Sequence, residues 1–519
     1  MAAALLALGF LVPLHDLPWT GFMGDLCAAV ALLLLAMRSP ARHWPWLALV
    51  VLALALVPLA QHATGLVLYR GDAVMASLYL VGLAFTIQIG AQPGFVADGE
   101  AGRFAKAVLA AALVSSAIVL LYAAGWLPAG PWLGPQTRVG RAVANLGQPN
   151  LLSTLLVLGL IALLAGYPAK RRERLAASAA TGLLLVALAM TGSRTGLLQA
   201  VLLLGIALPA PHRLGLKLKR GGLLVLLVTL LAAVLATHVL QQGTLARSWT
   251  HGESIVARWD YAKLFLAALQ DSPWAGYGFN QVSVAQSRQM LLTPSPPAWT
   301  EHSHNLVIDL LLWCGLPLGL PLLAGLASVF WRGLHKMRGD PMLGPVMLAL
   351  LMLTVHAMLE YPLDYFIFLL PFGLLLGRLC AQDRSVELPA VVGRSVIAAT
   401  VLVLMVSVVD YRRIAPQLAQ ARLALVQPML LPDEPAGMLL LDQLQAQYEM
   451  ARYVGRPEAG SVSLLAMEAA TERFAYLAVI ARLAIDAQAQ GDVAMAVRLR
   501  QRLATMRPPR LGGPSPSQR

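Results

Sequence analysis

Glu301-His302-Ser303-His304-Asn305-Leu306 leads directly into an apolar segment from Val307 to Leu323. Two histidines and an asparagine thus stand where a loop enters a predicted membrane helix, and polar groups are costly to bury there. If this helix begins near Ser303 with its hydroxyl as the N-cap, His304 lies in the first turn at the positive end of the helix dipole. That position favours the neutral, proton-accepting imidazole. The alternative is that these side chains only bond to lipid headgroups or loop backbone.

The composition of the whole chain is that of a membrane protein. Of the 519 residues, 58% are hydrophobic and only 13% are charged, and the mean hydropathy is +0.68. This is too apolar for a soluble globular protein. The three cysteines lie within or at the edge of apolar segments, without the spacing of a disulfide framework or a metal site.

Apolar segments of membrane-spanning length recur over the first 409 residues. We place them at about 1–14, 20–37, 46–61, 73–91, 105–125, 150–167, 175–192, 195–210, 222–240, 304–330, 341–359, 364–380 and 393–409. The sequence therefore predicts an all-α fold, a polytopic membrane bundle of about thirteen spans. A long loop at 241–303 interrupts the bundle.

Positive charge is distributed unevenly between the two sides of this bundle. One set of alternate short connections holds 18 Lys and Arg residues, whereas the opposite set holds only Arg70, Arg138, Arg141 and Arg194. Lys and Arg in short loops mark the cytoplasmic side, so the N-terminus is predicted to be cytoplasmic and the sparse set to face outward. The net charge of +13 is thus explained by topology, and no nucleic-acid partner is expected.

The C-terminal part is predicted to form a helical domain on the outer side. Phe474 to Arg507 shows two stretches with apolar residues at helical spacing, separated by a Gln490-Gly491-Asp492 turn. The last residues are rich in Pro, Gly and Ser, which predicts disorder. The predicted divisions are a membrane domain at 1–409 that includes the loop 241–303, a helical domain at 410–507 and a disordered tail at 508–519.

Arginines on the outer side are candidate contacts for an anion. Arg138 and Arg141 lie among several amides in one outer connection, and Arg194 lies in a tight break between two apolar helices. Burying an arginine costs several kcal/mol unless it pairs with an anion, and a phosphate is a good geometric match. Arg258, in the long loop, is a further candidate. For Arg138 and Arg141 the alternative is a turn whose arginines reach toward headgroups.

A second polar cluster, from His356 through Glu360, Tyr361 and Asp364 to Tyr365, forms the outer turn after the eleventh span. Ionisable residues at this depth indicate a functional site, although interface anchoring by the tyrosines is an alternative. Arginines for an anion and histidines for a proton suit a lipid-linked phosphate attacked by a hydroxyl. The sequence lacks a Walker-type loop, an Asp-x-Asp motif and a zinc signature, so we expect no metal and no other cofactor.

Together these motifs resemble the bacterial O-oligosaccharyltransferases, the protein-glycosylation ligases of the O-antigen ligase and polymerase superfamily. The resemblance covers nearly the whole membrane portion. The matching stretches are Asn145-Leu-Gly-Gln148-Pro-Asn150, Ser193-Arg194, Arg258 with Pro273-x-x-Gly276-x-Gly278, His302-Ser-His304-Asn305, and His356 to Pro362. The resemblance implies a glycosyltransferase in the bacterial inner membrane, with its active site and C-terminus in the periplasm, among membrane lipids. The donor it implies is an oligosaccharide linked to undecaprenyl pyrophosphate.

The resemblance also implies roles for particular residues. The histidine that directly precedes an asparagine is regarded as catalytic in the superfamily, and here this is His304. The Asn145 to Asn150 motif favours protein acceptors, such as a pilin. The predicted roles are catalysis by His304 and His302, binding of the donor pyrophosphate by Arg194, Arg258, Arg138 and Arg141, and positioning of donor or acceptor by Asn145, Gln148, Asn305, Glu360 and Tyr361.

In the mechanism that we predict, His304 orients or deprotonates a Ser or Thr hydroxyl, which displaces the lipid pyrophosphate from the sugar. Alternatives within the superfamily are an O-antigen ligase acting on lipid A core and an O-antigen polymerase. A proton-coupled transporter using His304, Asp309 and Glu360 is a third, but the sequence shows no inverted repeat or broken helix pair. A scaffold would leave the outer arginines unexplained.

Overall fold

The computed structural model describes residues 1–13, 18–38, 42–128, 130, 133, 137–138, 141–240, 253–293, 299–424, 437–455 and 463–506. Within these residues the chain is almost entirely helical, which confirms the predicted all-α fold. In chain order the helices up to residue 424 are α1 (Ala2–Leu11), α2 (Phe22–Arg38), α3 (Trp46–Leu54), α4 (Val57–Ala63), α5 (Arg70–Ala91), α6 (Pro93–Ala97), α7 (Glu100–Ala123), α8 (Pro149–Ala165), α9 (Arg171–Met190), α10 (Arg194–Ala207), α11 (Arg220–Leu240), α12 (Glu253–Asp271), α13 (Val282–Gln289), α14 (Leu306–Gly339), α15 (Gly344–Ala357), α16 (Phe366–Cys380) and α17 (Ala390–Ala424).

Each predicted span corresponds to one of these helices, or in one case to the consecutive pair α3 and α4. In the described part of the chain, seven helical stretches are long and apolar enough to cross a membrane, and five shorter apolar helices accompany them. A polytopic membrane bundle is therefore confirmed, while the number of spans stays a prediction.

Four short strands form two antiparallel pairs. They are β1 (His43–Pro45), β2 (Thr137–Arg138), β3 (Arg141–Ala142) and β4 (Ser385–Glu387). The β1–β4 pair, in register His43 to Glu387, joins two of the connections that are rich in Lys and Arg. The β2–β3 pair is a hairpin in the connection before α8.

Glycines allow α5 and α16 to approach each other closely in the core. A Cβ added at Gly90 would lie 2.2 Å from the Leu374 carbonyl oxygen, and one at Gly377 would lie 2.2 Å from the Ile87 oxygen. Small residues at such contacts let two membrane helices pack backbone against backbone. The close packing fixes α16, which begins just after the turn that carries Glu360.

A break at Gly315 bends α14, and the long loop packs into the bend. Gly315 has φ +66°, and a Cβ there would lie 2.3 Å from the Trp274 oxygen. Backbone hydrogen bonds cross the bend from Leu316 N to Pro273 O (2.7 Å) and from Tyr277 N to Leu312 O (2.6 Å). The Pro-x-x-Gly-x-Gly stretch of the sequence is therefore the segment that crosses this bend. Gly276 is needed there because a Cβ would lie 2.3 Å from the Leu312 carbonyl oxygen of α14.

A helical domain follows in the C-terminal part. Its helices are α18 (Asp442–Gly455), α19 (Leu464–Arg473), α20 (Leu477–Ala489) and α21 (Val493–Met506). The last two form the predicted hairpin, with Gly491 at φ +84° in the turn. Helix α17 is continuous across residues 409 and 410, so the predicted domain boundary stays a prediction. The tail at 508–519 lies outside the described residues.

Polar contacts hold the helical domain against the N-terminal end of α5 and against α13. The Arg473 guanidinium pairs with both carboxylate oxygens of Asp72 (2.8 and 3.2 Å) and donates to Ser283 Oγ (3.3 Å). At the start of α5, the Asp442 carboxylate accepts from the backbone N–H groups of Arg70 (3.1 Å) and Gly71 (2.8 Å). The domain thus covers α13, which lies close to the histidine segment.

Candidate active site

The histidine segment forms a short loop before α14. The helix begins at Leu306, and the Asn305 side chain caps it by accepting from the N–H groups of Val307 (3.0 Å) and Ile308 (3.2 Å). The Ser303 hydroxyl donates instead to the Asn305 carbonyl (3.0 Å). The predicted helix start at Ser303, with His304 in the first turn, is therefore wrong. His304 precedes the helix with φ +60°, an uncommon left-handed conformation for a residue other than glycine.

Glu360 lies in the turn after α15 and receives three hydrogen bonds. Its Oε2 accepts from His304 Nδ1 (2.9 Å), and its Oε1 accepts from Arg258 Nη2 (3.1 Å) and Asn150 Nδ2 (3.1 Å). The side chain is only 12% exposed. Burial alone would raise the pKa of Glu360, but the hydrogen bond from His304 and the nearby positive charges hold it below its ordinary value. The carboxylate therefore stays ionised and orients the imidazole.

This contact determines which nitrogen of His304 accepts a proton. Because Nδ1 faces a carboxylate, which only accepts, Nδ1 carries the hydrogen and Nε2 is the acceptor. Nε2 lies 3.4 Å from the Thr300 oxygen, and the Thr300 hydroxyl donates its hydrogen to the His302 carbonyl (2.9 Å). The His304 side chain is 24% exposed. It is therefore partly accessible from outside the protein.

His302 forms a separate ion pair next to this site. Its Nδ1 lies 2.8 Å from Asp364 Oδ2, and its ring stacks on Tyr361 with centroids 4.1 Å apart. Burial lowers the pKa of His302, but the Asp364 charge and hydrogen bond outweigh it and raise the pKa from 6.5 to about 8. His302 is consequently cationic at neutral pH. Tyr361 separates the two imidazoles, with its ring 5.3 Å from that of His304.

The predicted anion-binding arginines lie next to the same network. Arg141 donates from Nε to the Thr191 carbonyl (2.9 Å) and from Nη2 to Asn150 Oδ1 (3.2 Å). Ser193 caps α10 by accepting from Gly196 N (3.0 Å), and Arg194 is the first residue of that helix. Arg258 reaches Glu360 from the long loop. The side chain of Arg138 lies outside the described part of the structure.

The other predicted positioning residues are Asn305, Asn145 and Gln148. The Asn305 amide donates to the Met358 carbonyl (3.2 Å), which ties the histidine loop to the Glu360 turn. The Asn145 amide donates to the Leu11 carbonyl (2.9 Å) and so anchors its loop to α1. Gln148 is the N-cap residue of α8, two positions before Asn150.

Three residues that contact the site were not among the predicted site residues, namely Asn150, Asp364 and Thr300. Asn150 ends the amide-rich motif and Asp364 belongs to the second polar cluster, so both carried a signal in the sequence. Nothing in the sequence distinguished Thr300.

Known families match three parts of the chain. Residues 179–323 match an O-antigen ligase family, residues 142–165 a protein glycosylation ligase family, and residues 346–508 the C-terminal region of a virulence-factor membrane-bound polymerase family. The first match contains Arg194, Arg258 and His304, and the last contains Glu360.

Two curated proteins of Acinetobacter baylyi are similar over long stretches. A general O-oligosaccharyltransferase is 27% identical over 442 residues, covering 79% of this chain and 75% of the relative. A ComP-specific O-oligosaccharyltransferase is 31% identical over 254 residues, covering 47% of this chain and 45% of the relative.

These findings support the assignment of the chain to the O-antigen ligase superfamily of multi-pass membrane proteins. Within that superfamily they support a bacterial O-oligosaccharyltransferase, and hence a glycosyltransferase. The site described above is where its polar and charged groups converge.

Proposed function

We propose that this chain transfers a glycan en bloc from undecaprenyl pyrophosphate to Ser or Thr hydroxyls of periplasmic proteins, including pilin-like acceptors. The observation that carries the proposal is the contact between His304 Nδ1 and Glu360 Oε2, with Arg258 on the opposite carboxylate oxygen. Through Glu360, this contact places the proton-accepting His304 next to the cationic Arg258. The names of the two relatives, both O-oligosaccharyltransferases, support the protein acceptor.

In the proposed reaction, the acceptor hydroxyl oxygen forms a bond to the anomeric carbon of the first sugar. Its proton passes to Nε2 of His304, and Glu360 stabilises the resulting imidazolium. The bond between the anomeric carbon and the pyrophosphate oxygen breaks, and its electron pair leaves with undecaprenyl pyrophosphate. His304 later returns the proton to solvent or to the released diphosphate.

The leaving group carries negative charge, which the arginines are proposed to stabilise. Arg194 and Arg141 lie on the α10 side of the site, and Arg258, whose side chain is 36% exposed, lies on the long-loop side. A diphosphate is already a competent leaving group, so we rank Arg194 above the base in its effect on rate. Arg138 is proposed to assist from the β2–β3 hairpin.

We also propose the orientation in the inner membrane, with the N-terminus in the cytoplasm and the site and C-terminus in the periplasm. The site lies at the start of α8, α10 and α14 and after the end of α15. The basic connections lie at the opposite ends of these helices, where Lys336 pairs with Asp383 (2.6 Å) and β1 pairs with β4. Lys and Arg mark the cytoplasmic side.

Acceptor identity is the test of this proposal. The chain is expressed with a lipid-linked oligosaccharide pathway in bacteria that lack their own ligase, together with a pilin-like acceptor, and protein and lipopolysaccharide are analysed by mass spectrometry. We expect glycan on Ser or Thr of the acceptor, lost in His304→Ala and kept in His212→Ala, an exposed histidine remote from the site. Glycan on lipopolysaccharide alone would identify an O-antigen ligase instead. Longer lipid-linked glycan without transfer would identify a polymerase.

A further inference from the structure

Asn150, in the first turn of α8, contacts Glu360 on one side and Ser193 and Arg141 on the other. Its Oδ1 accepts hydrogen bonds from the Ser193 hydroxyl (2.8 Å) and from Arg141 Nη2 (3.2 Å), and its Nδ2 donates to Glu360 Oε1 (3.1 Å). We propose that Asn150 is a positioning residue, which holds the Glu360 carboxylate in the orientation that keeps His304 Nε2 as the proton acceptor. This inference rests on the proposed function, because it assigns Asn150 a part in the same proton transfer.

The neighbours of Asn150 determine which way its amide points. A guanidinium has donors only, so the amide oxygen must face Arg141, and the amide nitrogen then faces Glu360. The Ser153 hydroxyl lies within hydrogen-bond distance of the Asn150 carbonyl (2.8 Å) and of Ser193 Oγ (3.0 Å), and both serines are fully buried. A buried network whose members are all satisfied strongly favours one arrangement.

Such a constraint is needed because Arg258 and His304 compete for the oxygens of the Glu360 carboxylate. Arginine tends to pair with both oxygens of a carboxylate. If the carboxylate turned to give Arg258 both oxygens, Oε2 would leave His304 Nδ1. Asn150 and Arg258 together occupy Oε1, so that Oε2 remains for the imidazole. Asn150 therefore acts on the reaction through Glu360, without contacting the reacting atoms.

The substitution Asn150→Asp tests this role with little change of shape. It replaces the donor that faces Glu360 by a second carboxylate, next to the positive charges of Arg258 and Arg141 and the imidazoles of His304 and His356. With both carboxylates ionised they repel, and the His304 contact is lost. At lower pH the pair shares a proton, because the second carboxylate raises the pKa of Glu360, and a hydrogen bond between them is restored.

The measurement is single-turnover transfer by the full-length protein in nanodiscs, with lipid-linked oligosaccharide and an acceptor protein, between pH 6 and 8.5. We expect Asn150→Asp to lower kcat about 100-fold at pH 8, within the range of general-base contributions. The deficit should shrink toward pH 6, and the KM for acceptor should change little. Asn150→Ala, which removes one donor without adding charge, should lose about 10-fold at every pH.

Two further variants separate positioning from a structural effect. Gln447→Glu makes the same amide-to-carboxylate change in the helical domain, keeps the acceptor used by Tyr476 and should leave the rate unchanged. Asn150→Asp combined with Glu360→Gln restores a donor–acceptor pair between the two positions. It should therefore regain part of the activity lost in Asn150→Asp.

The outcomes distinguish this inference from the proposed function. Absence of transfer by the wild-type protein, or transfer that His304→Ala does not affect, would overturn the proposed function. If the wild-type protein transfers glycan and Asn150→Asp transfers it at the same rate, only the role of Asn150 would be overturned. A loss in Asn150→Asp that is independent of pH, accompanied by lower thermal stability, would show a structural role and would overturn positioning as well.

Discussion

Replacing Glu360 by glutamine keeps the shape of the side chain but disturbs the tautomer of His304. Two donors, from Arg258 and Asn150, face the Oε1 position, so the glutamine oxygen is expected to remain there. The glutamine amide would then face His304 Nδ1 and require it to accept a hydrogen bond. The imidazole hydrogen would move to Nε2, which could no longer take a proton from the acceptor hydroxyl.

The size of the effect follows from the cost of the opposite amide orientation. Turning the glutamine amide toward Arg258 and Asn150 loses hydrogen bonds worth about 2–3 kcal/mol, which lowers the productive fraction about 30- to 150-fold. Loss of the negative charge that stabilises the imidazolium adds to this. We therefore expect kcat to fall about 100- to 10,000-fold, with the KM for donor within a few-fold of wild type.

The assay is single-turnover transfer of a labelled lipid-linked oligosaccharide to a purified acceptor protein. Glu387→Gln is a matched control, because Glu387 also faces a histidine Nδ1, that of His43 at 3.5 Å, but lies exposed on the opposite side of the bundle. It should retain the wild-type rate. If Glu360→Gln keeps more than a third of the wild-type kcat, Glu360 does not set the tautomer, and the base role of His304 loses its support.

Further predictions concern stability and leaving-group charge. The net rise in the His302 pKa from 6.5 to about 8 corresponds to about 2 kcal/mol of stability, which is complete below pH 6.5 and lost as pH rises through 8. Asp364→Asn removes the partner that causes this rise. Its thermal stability should therefore fall below wild type at pH 6 and match it at pH 9.5. Arg473→Ala leaves a buried carboxylate unpaired and should cost about 3–5 kcal/mol, whereas Arg288→Ala, at an exposed pair, should cost about 1 kcal/mol or less; equal melting temperatures would contradict this. Arg194→Ala should lower kcat more than Glu360→Gln does, by about 1,000- to 100,000-fold, with Arg194→Lys less affected. Normal turnover by Arg194→Ala would refute our ranking of the arginines above the base.

The sequence was sufficient to predict the helices, since a membrane span is recorded in the local run of apolar residues. It was not sufficient to predict how the polar residues pair. Glu360 lies 56 positions from His304 and 210 positions from Asn150, and nothing in the intervening residues records which of them meet. The predicted start of α14 was wrong for a different reason, because Ser303 and Asn305 are both good N-cap residues. The choice depended on the Ser303 N–H, which donates to Asp309 Oδ1 (3.0 Å).

The hydrogen bonds around Glu360 satisfy two opposing electrostatic requirements. A carboxylate is needed to direct His304, yet the same negative charge opposes the approach of a pyrophosphate. Glu360 meets both demands because its Oε1 is covered by Arg258 and Asn150 and its Oε2 by His304. Neither oxygen remains directed toward an incoming anion, while the cationic groups around it keep an excess of positive charge. A carboxylate enclosed in this way can sit beside a diphosphate-binding surface, whereas one held only by the imidazole would repel the donor.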